Sequence, residues 1–268
     1  MRPVLAIAVN VFRESVRDKV LYNLLLFAVV MMAGSYLIGQ LTAGQDVKII
    51  KDLGLAATQI FGLFIAIFIG IGLVSKEVER GSIDSVLAKP IERYHLILGK
   101  YVGLTLTLAV NVAIMAAALY AVLTYVRWGI DPAIERAWDA PALDARLLQA
   151  VLLILVELLV VTAIALVFST FSTPLLSAAL TFALVVVGHF SGDLRNVQDV
   201  VKSSAAQWAA RGVYWVVPNL AQFDVKAQVV HGQTVPAGYL ALTIAYAALY
   251  VAMLIALASL VFSRRDFK

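Results

Sequence analysis

Residues 147–192 hold a single charged side chain, Glu157, in 46 consecutive positions. A helix crosses the roughly 30 Å hydrocarbon core of a bilayer with about 20 apolar residues. A run twice that length must therefore fold back on itself. Four further stretches without Asp, Glu, Lys or Arg, over 20–45, 53–75, 101–126 and 227–263, are each long enough to cross. Hydrophobic residues make up 62% of the chain and charged ones 14%, against about 45–50% and 25% in soluble globular chains. Too little polar surface is left to cover a water-soluble fold. The sequence specifies an all-α integral membrane protein, since a helix satisfies its own backbone inside hydrocarbon.

Six spans are expected in a single membrane domain over 1–268, at about 20–41, 55–75, 101–126, 147–170, 174–190 and 238–262. A short loop with Asp46, Lys48, Lys51 and Asp52 joins the first two, and a polar loop over 127–146 follows the third. In Ser169-Thr170-Phe171-Ser172-Thr173-Pro174, Ser172 or Thr173 can cap a helix whose first position accepts Pro174, which makes this the hairpin between the fourth and fifth spans. Pro236 and Gly238 introduce the last span.

Ahead of the first span, residues 1–19 have helical periodicity. At about 100° per residue, Leu5, Val9, Phe12 and Val16 share one stripe, with Asn10, Arg13, Glu14 and Arg17 opposite and Ile7 and Val11 breaking the pattern. This is an amphipathic interfacial helix lying on the membrane, or else a short extension of the first span. Its charges interrupt any signal-peptide core.

An even number of spans puts both termini on one side. Segments 1–19, 76–100 and 263–268 together hold 12 Lys and Arg, against 9 in the longer segments opposite. Basic residues concentrate in cytoplasmic loops, so both termini are expected in the cytoplasm. The four tryptophans, 128, 138, 208 and 215, then fall in outer loops. Within the outer segment 191–237, Val197, Val201, Ser204 and Trp208 line one stripe opposite Asp199 and Lys202, the pattern of short helices at or dipping into the outer interface. The net charge of +4 flanks apolar segments and suits lipid headgroups, not nucleic acid. No internal repeat is present.

The segment 76–100 is dense in charge and lies between two spans. Gly81 breaks the helix leaving the second span, Ser82 can cap a new one starting at Ile83 with Asp84 against its N-terminal dipole, and Pro90 stops it. About two turns of helix would present Ile83, Val86 and Leu87 to a cytoplasmic partner, tethered so that a force applied there tilts both attached spans. The succession of Glu77, Gly81, Ser82, a short helix, Pro90, Arg93 and Gly99-Lys100 is similar to the coupling-helix region of ABC transporter permeases of the type-2 export family. Serine stands where threonine is commoner, and Val86-Leu87 replaces a leucine pair. The interfacial helix, six spans and outer helices before the last span also resemble that family, and Pro218-Asn219 resembles a pairing in some members, including permeases of copper-processing systems. The resemblance implies an exporter subunit in the inner membrane. It further implies a second permease chain, expected to be an identical copy, two copies of an ATP-binding subunit that carry the ATP and Mg, membrane lipid as surroundings, and room for accessory subunits.

Within this chain the nucleotide chemistry has no seat. Gly99-Lys100 is preceded at the required distance by Tyr94 and followed by Tyr101, which does not match Gly-x-x-x-x-Gly-Lys-Ser/Thr, and neither His-Glu-x-x-His nor Gly-x-Ser-x-Gly occurs. The absence of cysteine excludes disulfides, thiolate metal sites and catalytic thiols. No catalytic, cofactor or metal residue is assigned.

Glu157 lies near the middle of the fourth span, where a carboxylate costs about 2.5–3.5 kcal/mol on insertion scales. Sixteen Leu, Ile, Val and Phe residues in 147–170 outweigh that cost. Glu157 is read as lining a substrate route or a dimer seam, or equally as a protonated acid bonded to a neighbouring helix. Thr105, Thr107 and Asn111 are read as donors between helices, and Gly34, Gly39, Gly70 and Gly72 as close-packing positions. His189, at the outer end of the fifth span beside Asp193, offers one side chain to a metal site but is read as a bland lone histidine; His95 and His231 are scattered elsewhere. Two rival functions stay open. One is a secondary transporter driven by an ion gradient, which usually shows repeats; the other is a non-exporting membrane subunit of an ABC-type assembly or extraction complex.

Overall fold

The computed structural model describes residues 2–41, 46–79, 93–131, 135, 140–191, 212 and 217–263. The helices among them are α1 (Arg2–Val16), α2 (Lys19–Gln40), α3 (Asp46–Glu79), α4 (Arg93–Trp128), α5 (Leu147–Ser169), α6 (Pro174–His189), the short α7 (Lys226–Val230) and α8 (Ala237–Ser263), with a 3-10 turn at Ala221–Phe223. No strand occurs among the described residues.

Helix α5 is the centre of the bundle and packs against α3, α4, α6 and α8. It is apolar all round, and such a helix belongs in an interior. In its most apolar stretch 78% is buried, against 22% in α2 and 17% in α8, so those two present their side chains to lipid or to another chain. Lipid tails are as apolar as leucine, so the contacts between helices depend on close fit. Gly62 and Gly70 of α3 supply that fit: a Cβ built there would lie 2.5 Å from Leu158 Cδ1 and 2.7 Å from Ala165 Cβ of α5. Gly39 also packs closely, with Ile50 Cδ1 at 3.2 Å from its would-be Cβ, whereas Gly34 and Gly72 face open space.

Among the described residues five helices, α2, α3, α4, α5 and α8, are long and apolar enough to cross a membrane, and α6 is shorter at 16 residues. Its bounds match the expected fifth span, yet at 1.5 Å per residue it reaches only about 24 Å. Pro174 takes the first position of α6 with Thr173 in the capping place, but no side-chain cap bond forms there. The Ser172 hydroxyl instead lies 2.6 Å from that of Ser177 and donates to the Phe168 carbonyl.

Three expectations change. The polar residues 46–52, read as a loop, form the first turns of α3. Lys51 is fully buried there, and its ammonium donates to the Pro141 carbonyl at 2.7 Å. That bond lets a lysine enter the helix and the packed interior. Likewise α4 starts at Arg93, eight residues before the expected span, because Ile97 and Gly99 pack inside the protein. Thirdly, the stripe assigned to α1 is not the face that packs. Ala8, Val11 and Ser15 are buried while Leu5 and Val9 are exposed. Val11 and Ile7, the residues that broke the stripe, fit against Gly103 and Gly99 of α4, where a Cβ would lie 2.7 Å from Val11 Cγ1 and from Ile7 Cβ. Helix α1 thus has one apolar face for the bundle and a second turned outward.

Hydroxyls and amides of α4 also differ from expectation. Thr107 donates to Gly103 O and Asn111 to Thr107 O, both within the helix. The link from α4 to α5 comes from Tyr101, whose hydroxyl donates to the Leu159 carbonyl at 3.1 Å.

Candidate functional site

Gly81, Ser82, Ile83, Asp84, Val86, Leu87 and Pro90 lie outside the described residues, as does the 197–208 stripe. Glu77 falls in the last turns of α3, and Arg93 opens α4. Gly99 and Lys100 are inside α4; Lys100 is buried, and Gly99 leaves room for α1, whose Val4 carbonyl would be 3.0 Å from an added Cβ. The structure therefore brings α1 and the start of α4 together at the end of the bundle where the charged segment joins α3 to α4.

The other site is built around Glu157. Its side chain is 1% exposed; two residues from separate elements meet it, and a third reaches it through one of them. The amide nitrogen of Gln59, in α3, donates to Glu157 Oε2 at 2.8 Å. His189, the last residue of α6, places Nε2 3.2 Å from Glu157 Oε1. Lys226, at the start of α7, donates its ammonium to the Gln59 amide oxygen. Gln59 thus bridges an ammonium and a carboxylate with its two ends.

The proton count on this relay follows from one more bond. His189 Nδ1 lies 3.0 Å from the Val185 carbonyl, which can only accept, so Nδ1 carries a hydrogen. The contact between Nε2 and Oε1 then needs one further proton, held either by the ring or by the carboxyl. The pair is neutral overall in both cases, which is how a carboxylate is kept within an apolar bundle.

The short length of α6 makes the site possible. Its end stops below the far end of α5, and residues 217–231 fill the space above it. Gly188 allows this approach: an added Cβ would lie 2.9 Å from the Pro218 carbonyl and from Leu220 Cγ. Leu220 N–H donates to Gly188 O at 3.0 Å, and Asn219 N–H to the Tyr246 hydroxyl at 3.1 Å. Leu220, Phe223, Val225, Val229 and Val230 are buried beneath this cap, so the described part of the outer segment is packed into the bundle. Its far rim is tied by Arg146, which donates to the Gly232 carbonyl.

A shallow open depression beside the cap is lined by Asp52, His189, Ala221, Asp224, Lys226 and Ala227. Asp224 Oδ2 is 3.5 Å from Lys226 Nζ. From this depression the relay is reached at His189 and Lys226, whose side chains are 31% and 18% exposed.

Sequence reasoning found Glu157 and missed its company. Gln59 is one polar residue in an apolar helix, His189 was set aside as bland, and Lys226 stands just before a charge-free run. Their common signal was position next to or inside apolar segments, and nothing in the spacing linked them.

No curated protein matches the chain. The family model described as ABC-2 family transporter protein matches residues 5–267. With its long apolar helices and a match over nearly every residue, the chain belongs to the ABC-2 transporter family, as an integral membrane transport subunit and not a catalytic one.

Proposed function

We propose that this chain is the permease of an ATP-driven exporter of the cytoplasmic membrane, with six crossings and both termini cytoplasmic. Two such chains pair, and each docks a separate ATP-binding subunit through the helix between Gly81 and Pro90. ATP and Mg belong to that partner. The observation that supports this reading most is the family match over 5–267, joined to the Glu77, Gly81, Ser82, Pro90 and Arg93 pattern between α3 and α4. Those two helices pack on each other and both on α5. A displacement at their junction is thereby passed to the centre of the bundle, because packed interiors transmit strain and do not absorb it.

Purification of the chain from its native membrane tests the reading. An associated ATPase with a phosphate-binding loop is expected. Gly81→Val and Leu87→Asp should insert normally yet lose that ATPase or its stimulation. Unchanged association and activity in both variants, or transport by the isolated chain under an ion gradient, would refute it.

A further inference from the structure

We propose that the Gln59 amide oxygen and Glu157, with His189 holding the carboxyl in place, form an acceptor site for a primary ammonium or guanidinium group of a solute, and that Lys226 occupies this site in the resting conformation. Three observations carry the assignment. The first is the arrangement of acceptors. Glu157 Oε1 and Oε2 meet His189 and Gln59, while the Gln59 amide oxygen is turned to the Lys226 ammonium. That oxygen is an acceptor on the path to a buried carboxylate, and an N–H donor satisfies it.

The second is charge. The depression above the relay has Asp52 on one wall and Asp224 on another, with Ala221 and Ala227 as small walls between. Among the described residues that line it, Lys226 is the one lysine or arginine. An anionic headgroup or phosphate would meet the carboxylates of Asp52 and Asp224 at the mouth, so the field selects cations. A metal ion is a poorer fit, since among the described residues no three His, Cys, Asp or Glu side chains gather in ligand geometry. The amide and single carboxylate suit a hydrogen-bonding cation.

The third is the ease of exchange. Lys226 already lies 3.5 Å from Asp224 Oδ2 at the rim. Rotation of its stem toward that carboxylate frees the Gln59 oxygen while the cap keeps its buried anchors, Leu220, Phe223 and Val229. Lys226 is then a tethered competitor. A solute cation sees only the fraction of molecules in which the lysine has swung away, and its apparent affinity is reduced by that fraction. In transport the site would hold a cationic group of the cargo, a use that rests on the permease reading; the binding does not.

Thermal unfolding of the purified chain in detergent tests the proposal with n-butylammonium chloride as the probe. Tetramethylammonium chloride, which has no N–H, and n-butanol, which has no charge, serve as controls at matched ionic strength. In Lys226→Ala, n-butylammonium should raise Tm well beyond either control. Its half-effect should come at a concentration at least tenfold lower than in the natural chain, and Glu157→Gln in the same background should abolish the shift. Lys226→Met, which keeps the stem, gives the same comparison with methylammonium should the alanine variant not fold. A shift no larger than the controls, or one that survives Glu157→Gln, overturns the site. Equal half-effects with and without Lys226 overturn its occupancy by the lysine. Absence of a partner ATPase would leave every one of these outcomes unaltered, so the two readings fail separately.

Discussion

Gly103→Val offers a clean test of how α1 is held to the bundle. A Cβ at residue 103 would sit 2.6 Å from the Ala8 carbonyl oxygen and 2.7 Å from Val11 Cγ1. The carbonyl belongs to the α1 backbone, so no rotamer change relieves the clash and the whole helix must move. A gap of about 0.5–1 Å already forfeits a quarter to a half of the dispersion attraction across an interface, and overpacking of this kind typically costs about 1–3 kcal/mol. At about 1.4 kcal/mol per factor of ten, detachment of α1 should become about 5 to 150 times more frequent. The chain has no cysteine, so Ser15→Cys, at a buried position on the packed face of α1, introduces the single thiol needed to report it. Maleimide labelling of that thiol should accelerate by the same factor in Gly103→Val. Gly34→Val is the control, since its Cβ meets nothing within 4 Å. Equal labelling rates in Gly103→Val and the parent would refute the account of α1 as a helix seated in a glycine groove.

Gly70→Val should disrupt the contact between α3 and α5, because its Cβ would be 2.7 Å from Ala165 Cβ; size-exclusion chromatography should show a large loss of monodisperse protein against Gly72→Val. Lys51→Ala removes the bond to Pro141 O and the packing of a buried stem. Since a hydrogen bond to a charged group contributes about 1.5–3 kcal/mol, a fall in Tm of several degrees is expected, and an unchanged Tm would show that the clasp contributes nothing. Tyr246→Phe leaves the Asn219 N–H without its acceptor and should speed hydrogen exchange at that amide, with the Gln59 to Glu157 relay intact.

Much of this protein is written locally. Insertion depends on the length of apolar runs, so the five long helices and the hairpin at Pro174 could be placed from residues 20–262 without any knowledge of packing. The charged segment with Gly81, Ser82 and Pro90 is read the same way, from breakers and caps that act over a few residues, and it lies outside the described residues. Periodicity failed at α1 because it locates apolar stripes and cannot say which of two faces meets protein: Ile7 and Val11, not Leu5 and Val9, found the groove. A charged residue near a predicted loop misled at Lys51, whose partner is a carbonyl 90 positions away.

The sequence by itself determined that the chain inserts, roughly where it turns, and that a carboxylate lies deep in one span. Only the tertiary structure decided what that carboxylate does. Gln59 reaches Glu157 across 98 residues and Lys226 across 167, and a relay of that kind exists only because α6 ends early and a folded-back segment fills the space above it. Local energetics sets helices one at a time, whereas the partners of a buried charge are chosen by which helices stop short and which side chains can fill the gap.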